Sequence, residues 1–527
     1  MLVSEAQSLV VDGPEASYQM THRQILEALS GLLLAMFVAM ISSTVVTNAL
    51  PRIVADLKGS QTGYTWVIVA TLLAMTATTP IWGKLADLFS KKLLVQLSLI
   101  IFITGSLVAG VSPNMGTLIG ARLVQGLGVG GLMALVQIVI ASMVSPRDLG
   151  RYSGYMGAVF AAATVSGPLI GGLVADSALG WRGCFFIGLP FGIAAFVLLQ
   201  KTLHLPVVRR DVSVDYLGAT LIMAGVSLLL VWVSLAGNQY EWVSGTSALL
   251  VAGGVVLIGV AVYVEARVAR EPVIPLHLFK ARTIVFATLA SVFVGVAMFA
   301  STVYLSQFFQ LARGMSPTQA GLMSITLVGG LLVSSVASGR AISVTGRWKG
   351  WLIASMLFVV AGCGLLGTID ETTNLVWVGV FMALLGIGVG GSMQNLVLPV
   401  QNIVSSADLG AASSLVAFFR SIGGTVGVAA LGALLTAQVS DRVASGLKDL
   451  GVAGGGQQSH GIPDLSSLPA PIRAVFEHAF GASIAELFLV SVPFAVLALV
   501  CVLFIKEVPL RTTLHSAEPV AAEPTAV

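Results

Sequence analysis

Charge is what this chain has least of. Asp, Glu, Lys and Arg together supply 10% of its 527 residues, and the formal net charge is only +3. Soluble domains carry about 25% charged residues. A folded body this poor in charge cannot cover itself with polar groups, so lipid must cover much of it. The small net charge also excludes the strongly basic field that nucleic acid would require, and no nucleic-acid partner is expected. Cysteine is scarce: Cys184, Cys363 and Cys501 lie far apart in apolar runs. An odd, scattered set gives neither a disulfide framework nor a metal-ligand spacing, and the three read as inert buried thiols. The six histidines (His22, His204, His277, His460, His478 and His515) are scattered too. With no His, Cys and carboxylate cluster, no metal, no cofactor and no enzyme activity are expected. The first 24 residues carry Glu5, Asp12 and Glu15 without a basic leading segment. They read as a short polar tail rather than a signal peptide.

What is abundant is apolar surface, at 56% of residues, and glycine, at 58 positions. A membrane span needs about 20 mostly apolar residues. Fourteen such stretches occur: 28–50, 64–83, 93–111, 115–143, 153–175, 184–200, 215–236, 246–265, 284–305, 318–338, 350–368, 376–399, 411–436 and 485–505. Pro80, Pro168, Pro190, Pro399 and Pro493 fall within spans, where neighbouring helices can satisfy the freed carbonyls. The expected fold is an all-α membrane protein. Basic residues set its orientation. With the N-terminus inside, 18 Lys and Arg fall in cytoplasmic segments and 7 in external ones, which places both ends in the cytoplasm of a multi-pass cell-membrane protein. The external segment 437–484 is long. It is either a solvated connector or a substrate lid, and Ala470–Phe480 within it could form a short interfacial helix.

The chain repeats itself. Gly126-Leu127-Gly128-Val129-Gly130-Gly131 recurs 260 residues later as Gly386-Ile387-Gly388-Val389-Gly390-Gly391. At the same offset Asp148-Leu149-Gly150 matches Asp408-Leu409-Gly410, Gly167 matches Gly427, and Gly172 matches Gly432. A weaker echo joins Gly83 and Lys91 to Gly339 and Arg347 at an offset of 256. Internal self-similarity marks duplicated architecture. It divides the chain into a tail (1–27), a six-helix bundle (28–200), a linker with two extra helices (201–283), a second six-helix bundle (284–505) and a closing tail (506–527). Two opposed bundles allow alternating access, one rocking against the other around a site at mid-depth.

Four features carry the chemistry. Between spans 2 and 3 runs Gly83-Lys84-Leu85-Ala86-Asp87-Leu88-Phe89-Ser90-Lys91-Lys92. It can be a plain basic loop, but Asp87 is placed to cap a helix N-terminus or pair with a basic residue of the other half, a gating role. Arg122 lies in span 4, about 12 Å from its external end at 1.5 Å per residue. An arginine there costs several kcal/mol unless paired or hydrated. Snorkelling would be the dull explanation; Gln125 and the glycine run beside it favour a functional one. For Arg420 in span 13, functional and packing roles stand level. Gly167-Pro168-Leu169-Ile170-Gly171-Gly172 in span 5 allows close packing, a hinge or a seal between halves. Gly126-x-Gly128-x-x-Gly131 satisfies a dinucleotide pattern, but it lies within an apolar span without the strand that pattern needs. Polar residues in apolar runs, Ser42, Ser43, Asn48, Gln125, Gln137, Tyr304, Gln307, Gln394 and Asn395, are candidates for lining a substrate pathway.

Together these residues resemble the major facilitator superfamily. Gly83–Lys92 is similar to its signature between spans 2 and 3, with Ser90 where glycine is usual. Arg122 to Gly126 resembles the span-4 signature, and Gly167-Pro168 with Gly171-Gly172 the span-5 signature of antiporters. Two extra central spans resemble the fourteen-span multidrug proton antiporter branch. The resemblance implies two pseudo-symmetric bundles and export of amphiphilic or cationic small molecules in exchange for protons. By that resemblance Arg122 would serve proton coupling and the span-5 motif the interface between halves; from the residues themselves Asp87, Asp176 and Arg420 are added as candidates for coupling or switching and Gly83 for the interface, with lipid as the surrounding partner. One departure matters: Ser42 and Ser142 stand where relatives carry acids. A proton-driven exporter of cations wants a buried acid, so a lipid-like, neutral or anionic substrate gains ground. Export of an endogenous lipid or metabolite, and a membrane scaffold or sensor without transport, are the rival expectations.

Overall fold

The computed structural model describes residues 21–512 apart from 59–60, 178, 204, 206–214, 238 and 451–468. Its described residues form sixteen α-helices: α1 (His22–Asp56), α2 (Gln61–Leu88), α3 (Lys91–Gly110), α4 (Met115–Met143), α5 (Pro146–Asp176), α6 (Gly180–Phe186), α7 (Gly188–Thr202), α8 (Tyr216–Leu235), α9 (Gly245–Arg267), α10 (Arg282–Gln307), α11 (Pro317–Thr345), α12 (Lys349–Leu366), α13 (Leu375–Met393), α14 (Val397–Ile403), α15 (Leu409–Asp449) and α16 (Ala470–Phe504). They make fourteen membrane passages. Thirteen segments are long and apolar enough to cross, with α6–α7 and α13–α14 each counting as one. The fourteenth is α5, 31 residues long and laid between α1 and α11.

Local chemistry sets the helix starts. Ser90, Asn114, Ser145, Asp215, Ser244 and Ser316 each accept a hydrogen bond from a backbone N–H of the first turn that follows, which supplies an acceptor the helix itself cannot. Ser90 thus has a job where the resemblance leads one to expect glycine: it starts α3. Pro146 and Pro317 occupy first-turn positions, where a missing N–H costs nothing. Gly346, at φ +71°, ends α11 in the left-handed conformation.

The helices pack as two equivalent sets. In one, α4 lies between α2 and α3, and α1 packs on α5 and α7; in the other, α13 lies between α11 and α12, and α10 packs on α15 and α16. The repeated glycines explain the match. A methyl group at Gly126 or Gly130 would run into the carbonyls of Thr71 or Met75 on α2, and one at Gly128 into the backbone of Phe102 on α3. Gly386 and Gly390 meet Leu327 and Leu331 of α11, and Gly388 meets Val359 of α12, in the same way. Alternate glycines therefore seat one helix against two neighbours at backbone distance. The sets meet along two seams, α2 with α15 and α5 with α11.

Both described termini lie at one end. His22 Nδ1 is 2.9 Å from the Tyr152 hydroxyl, and the Arg147 amide donates to the Arg511 carbonyl at 3.2 Å. At this terminal end one apolar core runs through both halves, from Leu135 and Ile138 to Leu398, Val400 and Leu415. Toward the opposite end the cores separate. Ile41, Val45, Leu118 and Phe185 cluster with residues of the first half only. Phe308, Phe309, Leu385 and Phe488 cluster in the second, with Phe160 of α5 reaching across to them.

The sequence places a connector at 437–484, and the helices run through much of it. α15 extends 41 residues to Asp449, and Ala470–Phe480 is the start of the 35-residue α16 rather than a separate interfacial helix. Hydropathy sees where a helix leaves lipid, not where it ends. The extension is held by polar chemistry: Arg442 donates to Ser483 Oγ and Glu486 Oε2 at 2.6 Å each, and Gly446 packs under Val475.

Candidate functional site

The two seams are closed at the terminal end by matched glycine contacts. Gly83 of α2 abuts the carbonyl of Gly410 at the start of α15, and Gly339 of α11 abuts that of Gly150 at the start of α5. No side chain fits between them, so backbone meets backbone. The residue pairs are the repeats found at offsets 256 and 260.

At the first junction Asp87 lies one turn beyond Gly83. Its Oδ1 accepts the amide N–H of Gly410 at 2.7 Å and its Oδ2 that of Ala411 at 2.8 Å. The residue preceding α15, Asp408, makes no side-chain cap. The carboxylate of one half therefore caps the helix of the other, satisfying two orphan donors at the positive end of a helix dipole. What Asp87 meets across the seam is main chain, where the sequence also allowed a basic residue. Beside it the Lys84 ammonium, nearly fully buried, lies 2.6 Å from Glu271 Oε2.

The second junction reverses the signs. The offset puts Ser343 where Asp87 stands in the first half. Arg147 of α5 instead reaches into α11, its Nε donating to the Ser343 carbonyl and its Nη2 to that of Val344, both at 3.1 Å. Here a cation sits on the negative end of a helix. Arg147 escaped the sequence reading although its neighbours Asp148 to Gly150 were matched. The missing acid at 343 was the available signal.

Two guanidinium groups are buried at depth. Arg122 is 4% exposed. Its Nε donates to the Val67 carbonyl at 3.3 Å and its Nη1 to Gln125 Oε1, while its own carbonyl accepts from Thr71. Gln125 in turn donates from Nε2 to Ser42 Oγ at 2.8 Å and Ser106 Oγ at 2.7 Å. This network joins α1, α2, α3 and α4. Ser42 and Gln125, candidates for the pathway, are thus placed inside the first bundle as partners of Arg122. Arg420 is 6% exposed, and its Nη1 donates to the Met393 carbonyl at 2.8 Å. Met393 is the last residue of α13, where the helix breaks before α14, and the guanidinium supplies a donor for a carbonyl that the break frees. Among the described residues neither arginine has a carboxylate within ion-pair distance.

The other candidates divide by place. Gln137 and Gln394, from opposite halves, line one small cavity with Gln401, Leu149, Met156 and Leu398. Asn395 is turned away into the second bundle, donating to Ser338 Oγ and the Gly391 carbonyl. The Tyr304 hydroxyl donates to the Val428 carbonyl. Ser43 is half-buried and returns its hydroxyl to the Ala39 carbonyl at 3.3 Å, and Gln307 is half-buried. Gly167 and Gly171 pack α5 against Thr44 and Val45 of α1, within the first half rather than between halves. Asn48, Pro168, Gly172 and Asp176 lie outside the residues whose surroundings are described.

This is the architecture that the duplicated sequence implies, and comparison with known families settles its kinship. The Major Facilitator Superfamily description matches residues 32–428. The chain belongs to the major facilitator superfamily. Among its relatives in that superfamily is the efflux pump dotC of Dothistroma septosporum, 34% identical over 94% of this chain and 86% of the relative. Another is the multidrug transporter protein MdtP of Bacillus subtilis, 34% identical over 84% of this chain and 78% of the relative. A similar fold is found in the crystal structure of the human organic anion transporter MFSD10, at a TM-score of 0.59 and 14% identity over 89% of this chain and 99% of that one. The protein is therefore a multi-pass membrane transporter of the superfamily, with a small-molecule substrate.

Proposed function

We propose that this chain is a secondary active exporter that moves hydrophobic or amphiphilic small molecules out of the cell by alternating access, in exchange for protons. One observation carries the reading: the halves share a core at the terminal end and keep separate cores toward the opposite end. Such an arrangement fastens the halves together at one face and, among the described residues, joins their cores only through Phe160 toward the other. The distribution of Lys and Arg supports a cytoplasmic closed face, and the reading places the protein in the cell membrane. The relatives named as an efflux pump and a multidrug transporter support export.

The substrate class follows from charge. Among the described residues, the ionised side chains deep in the bundles without a carboxylate partner are Arg122 and Arg420, while the carboxylates sit near helix ends or, like Glu486 of α16, are paired with a cation. In a medium of low dielectric, two buried cations disfavour a third. A neutral or anionic amphiphile fits better than a cationic drug, and the Arg122–Gln125–Ser42–Ser106 network, in which no group gives up a proton, serves the conformational change rather than carrying the proton. The same charge pattern supports a second reading, export of an endogenous anionic lipid or metabolite.

The test is uptake into proteoliposomes with a panel of neutral, anionic and cationic amphiphiles under imposed pH gradients. Gradient-driven accumulation of neutral or anionic compounds is expected. No flux of any compound under any gradient would end the transport reading. If deletion of the protein changes membrane lipid composition but not survival of toxic compounds, the second reading takes its place.

A further inference from the structure

The linker helices have no counterpart in the repeat, and their position is one-sided. α8 packs on α9 and lies across the α2–α15 seam, with Ile222, Val226 and Leu230 against Ala77 of α2 and Phe418 of α15. From α9 the chain returns to α10 through a strap, residues 268–281, that passes over the junction where Asp87 caps α15. The strap is fixed at its root: Glu265, 7% exposed, accepts the amide N–H groups of Val273 at 3.0 Å and Ile274 at 3.1 Å. Val273 is buried among the linker and seam residues, and Leu278 in the core shared by both halves. Two polar contacts then reach out from it. Glu271 holds Lys84 of α2, and His277 Nε2 lies 3.2 Å from Asp408 Oδ2, directly before α15.

We propose that the strap is a latch on the closed cytoplasmic junction, and that Lys84, Glu271 and Glu265 are positioning residues for the transport cycle. The inference rests on the alternating-access reading. Lys84 belongs to the half that carries Asp87, and the strap is continuous with the half that carries Gly410. When the halves part, Lys84 must leave Glu271. A charge-assisted bond of 2.6 Å from a nearly buried ammonium is a strong one, and leaving it favours the closed state. Glu265 acts through the strap: without it Val273 and Ile274 lose their acceptor and Glu271 its fixed position. The linker pair therefore sets how readily one seam opens, while the other seam has its own, different fastening.

The test measures the junction directly. Phe89 and Ser405 are exposed on opposite halves at the closed end, and the native cysteines are buried. Spin labels at Phe89→Cys and Ser405→Cys, in the full chain in nanodiscs without substrate, report closed and open populations as short and long distances. Glu271→Gln, at a half-exposed site that does not threaten folding, is expected to raise the open-to-closed ratio about five-fold. Lys84→Met should do the same, and the double variant should be no worse than the worse single, since both remove one interaction. Glu271→Asp should restore the ratio to within about two-fold of the parent. If Asp87→Asn raises the ratio and Glu271→Gln does not, the latch is wrong and alternating access stands. Additive effects of the two singles overturn the pairing. One unchanging distance in every variant, Asp87→Asn included, removes alternating access and the latch with it.

Discussion

The α2–α15 and α5–α11 junctions are products of one duplication, and they differ in the sign of the charge that closes them. Both keep glycine against glycine, because backbone approach leaves no choice of side chain. Beyond the glycines the halves diverge. Asp87 puts a carboxylate on the amide N–H groups that begin α15, and Arg147 puts a guanidinium on the carbonyls that end α11. A helix has a donor-rich end and an acceptor-rich end, so either charge can fasten such a joint. A carboxylate can be neutralised by a proton, whereas a guanidinium stays charged. The buried arginines diverge too. Arg122 and Arg420 fall at unrelated positions of the repeat, one tied to the Val67 carbonyl and, through Gln125, to Ser42 and Ser106, and the other to a single carbonyl at a helix break. Duplication preserved the packing and left the polar machinery free to specialise.

The sharpest way to break this contrast is to remove each arginine. Arg122→Ala should abolish flux in proteoliposomes, a loss of at least about 100-fold, with folded protein retained in detergent. The network that it anchors spans four helices, and Gln125 would lose a charged partner at a buried position, where a bond to a charged group contributes about 1.5–3 kcal/mol. Arg420→Ala should lower melting temperature more than it lowers flux per folded molecule, because its visible role is to close a helix break. Equal loss of flux from both would show that the halves are functionally alike.

Next in size is the capping carboxylate. Asp87→Asn removes the charge and one of two acceptors, at a cost of about 1–3 kcal/mol to the closed junction, or roughly 5- to 160-fold in its population. Transport should fall by at least about ten-fold, and the labelled junction should shift to the long distance. Arg147→Ala should do less. Its guanidinium is partly exposed and bonds to carbonyls that water can also reach, so a two- to five-fold change is expected by the same distance measurement, in line with about 0.3–1 kcal/mol for a charge at an exposed helix end. An Arg147 effect as large as that of Asp87 would erase the asymmetry.

How much of this was legible beforehand depends on range. Fourteen passages, the repeat and the place of Asp87 at a helix junction follow from hydropathy, from matches at fixed offset and from one acid among cations, all of which are local. The bounds of α4 were legible to the residue, since Asn114 and the polar turn after Met143 mark them. α15 and α16 outran the reading because their outer turns are polar and are held by Arg442, Glu486 and Gly446, partners that only the fold brings together. Ser42 and Gln125 were legible as polar residues needing a use, and not as partners of Arg122: Ser42 is 83 residues from Gln125, and no periodicity links them. Gln137 and Gln394 were singled out on the same grounds and line one small cavity from opposite halves. Polarity in an apolar run identifies a residue that must be satisfied; it does not say whether protein or substrate satisfies it.

The smallest expected effect is the most direct probe of the comparison. Ser343→Asp writes into the second half the acid that the repeat places in the first, one helical turn from Gly339 as Asp87 is from Gly83. It should not create a second cap of equal strength. The start of α5 already has one: Ser145 Oγ accepts the Asp148 amide at 3.3 Å, and Pro146 removes an N–H that would otherwise need an acceptor. What remains for an added carboxylate is the dipole of α5 and the nearby Arg147, about 0.3–1 kcal/mol at an exposed site. The closed population should therefore rise by no more than about two- to five-fold, and the gain should shrink in high salt because exposed charges are screened. A gain as large and as salt-insensitive as the loss in Asp87→Asn would mean that the two junctions are interchangeable, and that the sign reversal is an accident of drift rather than a division of labour between the seams.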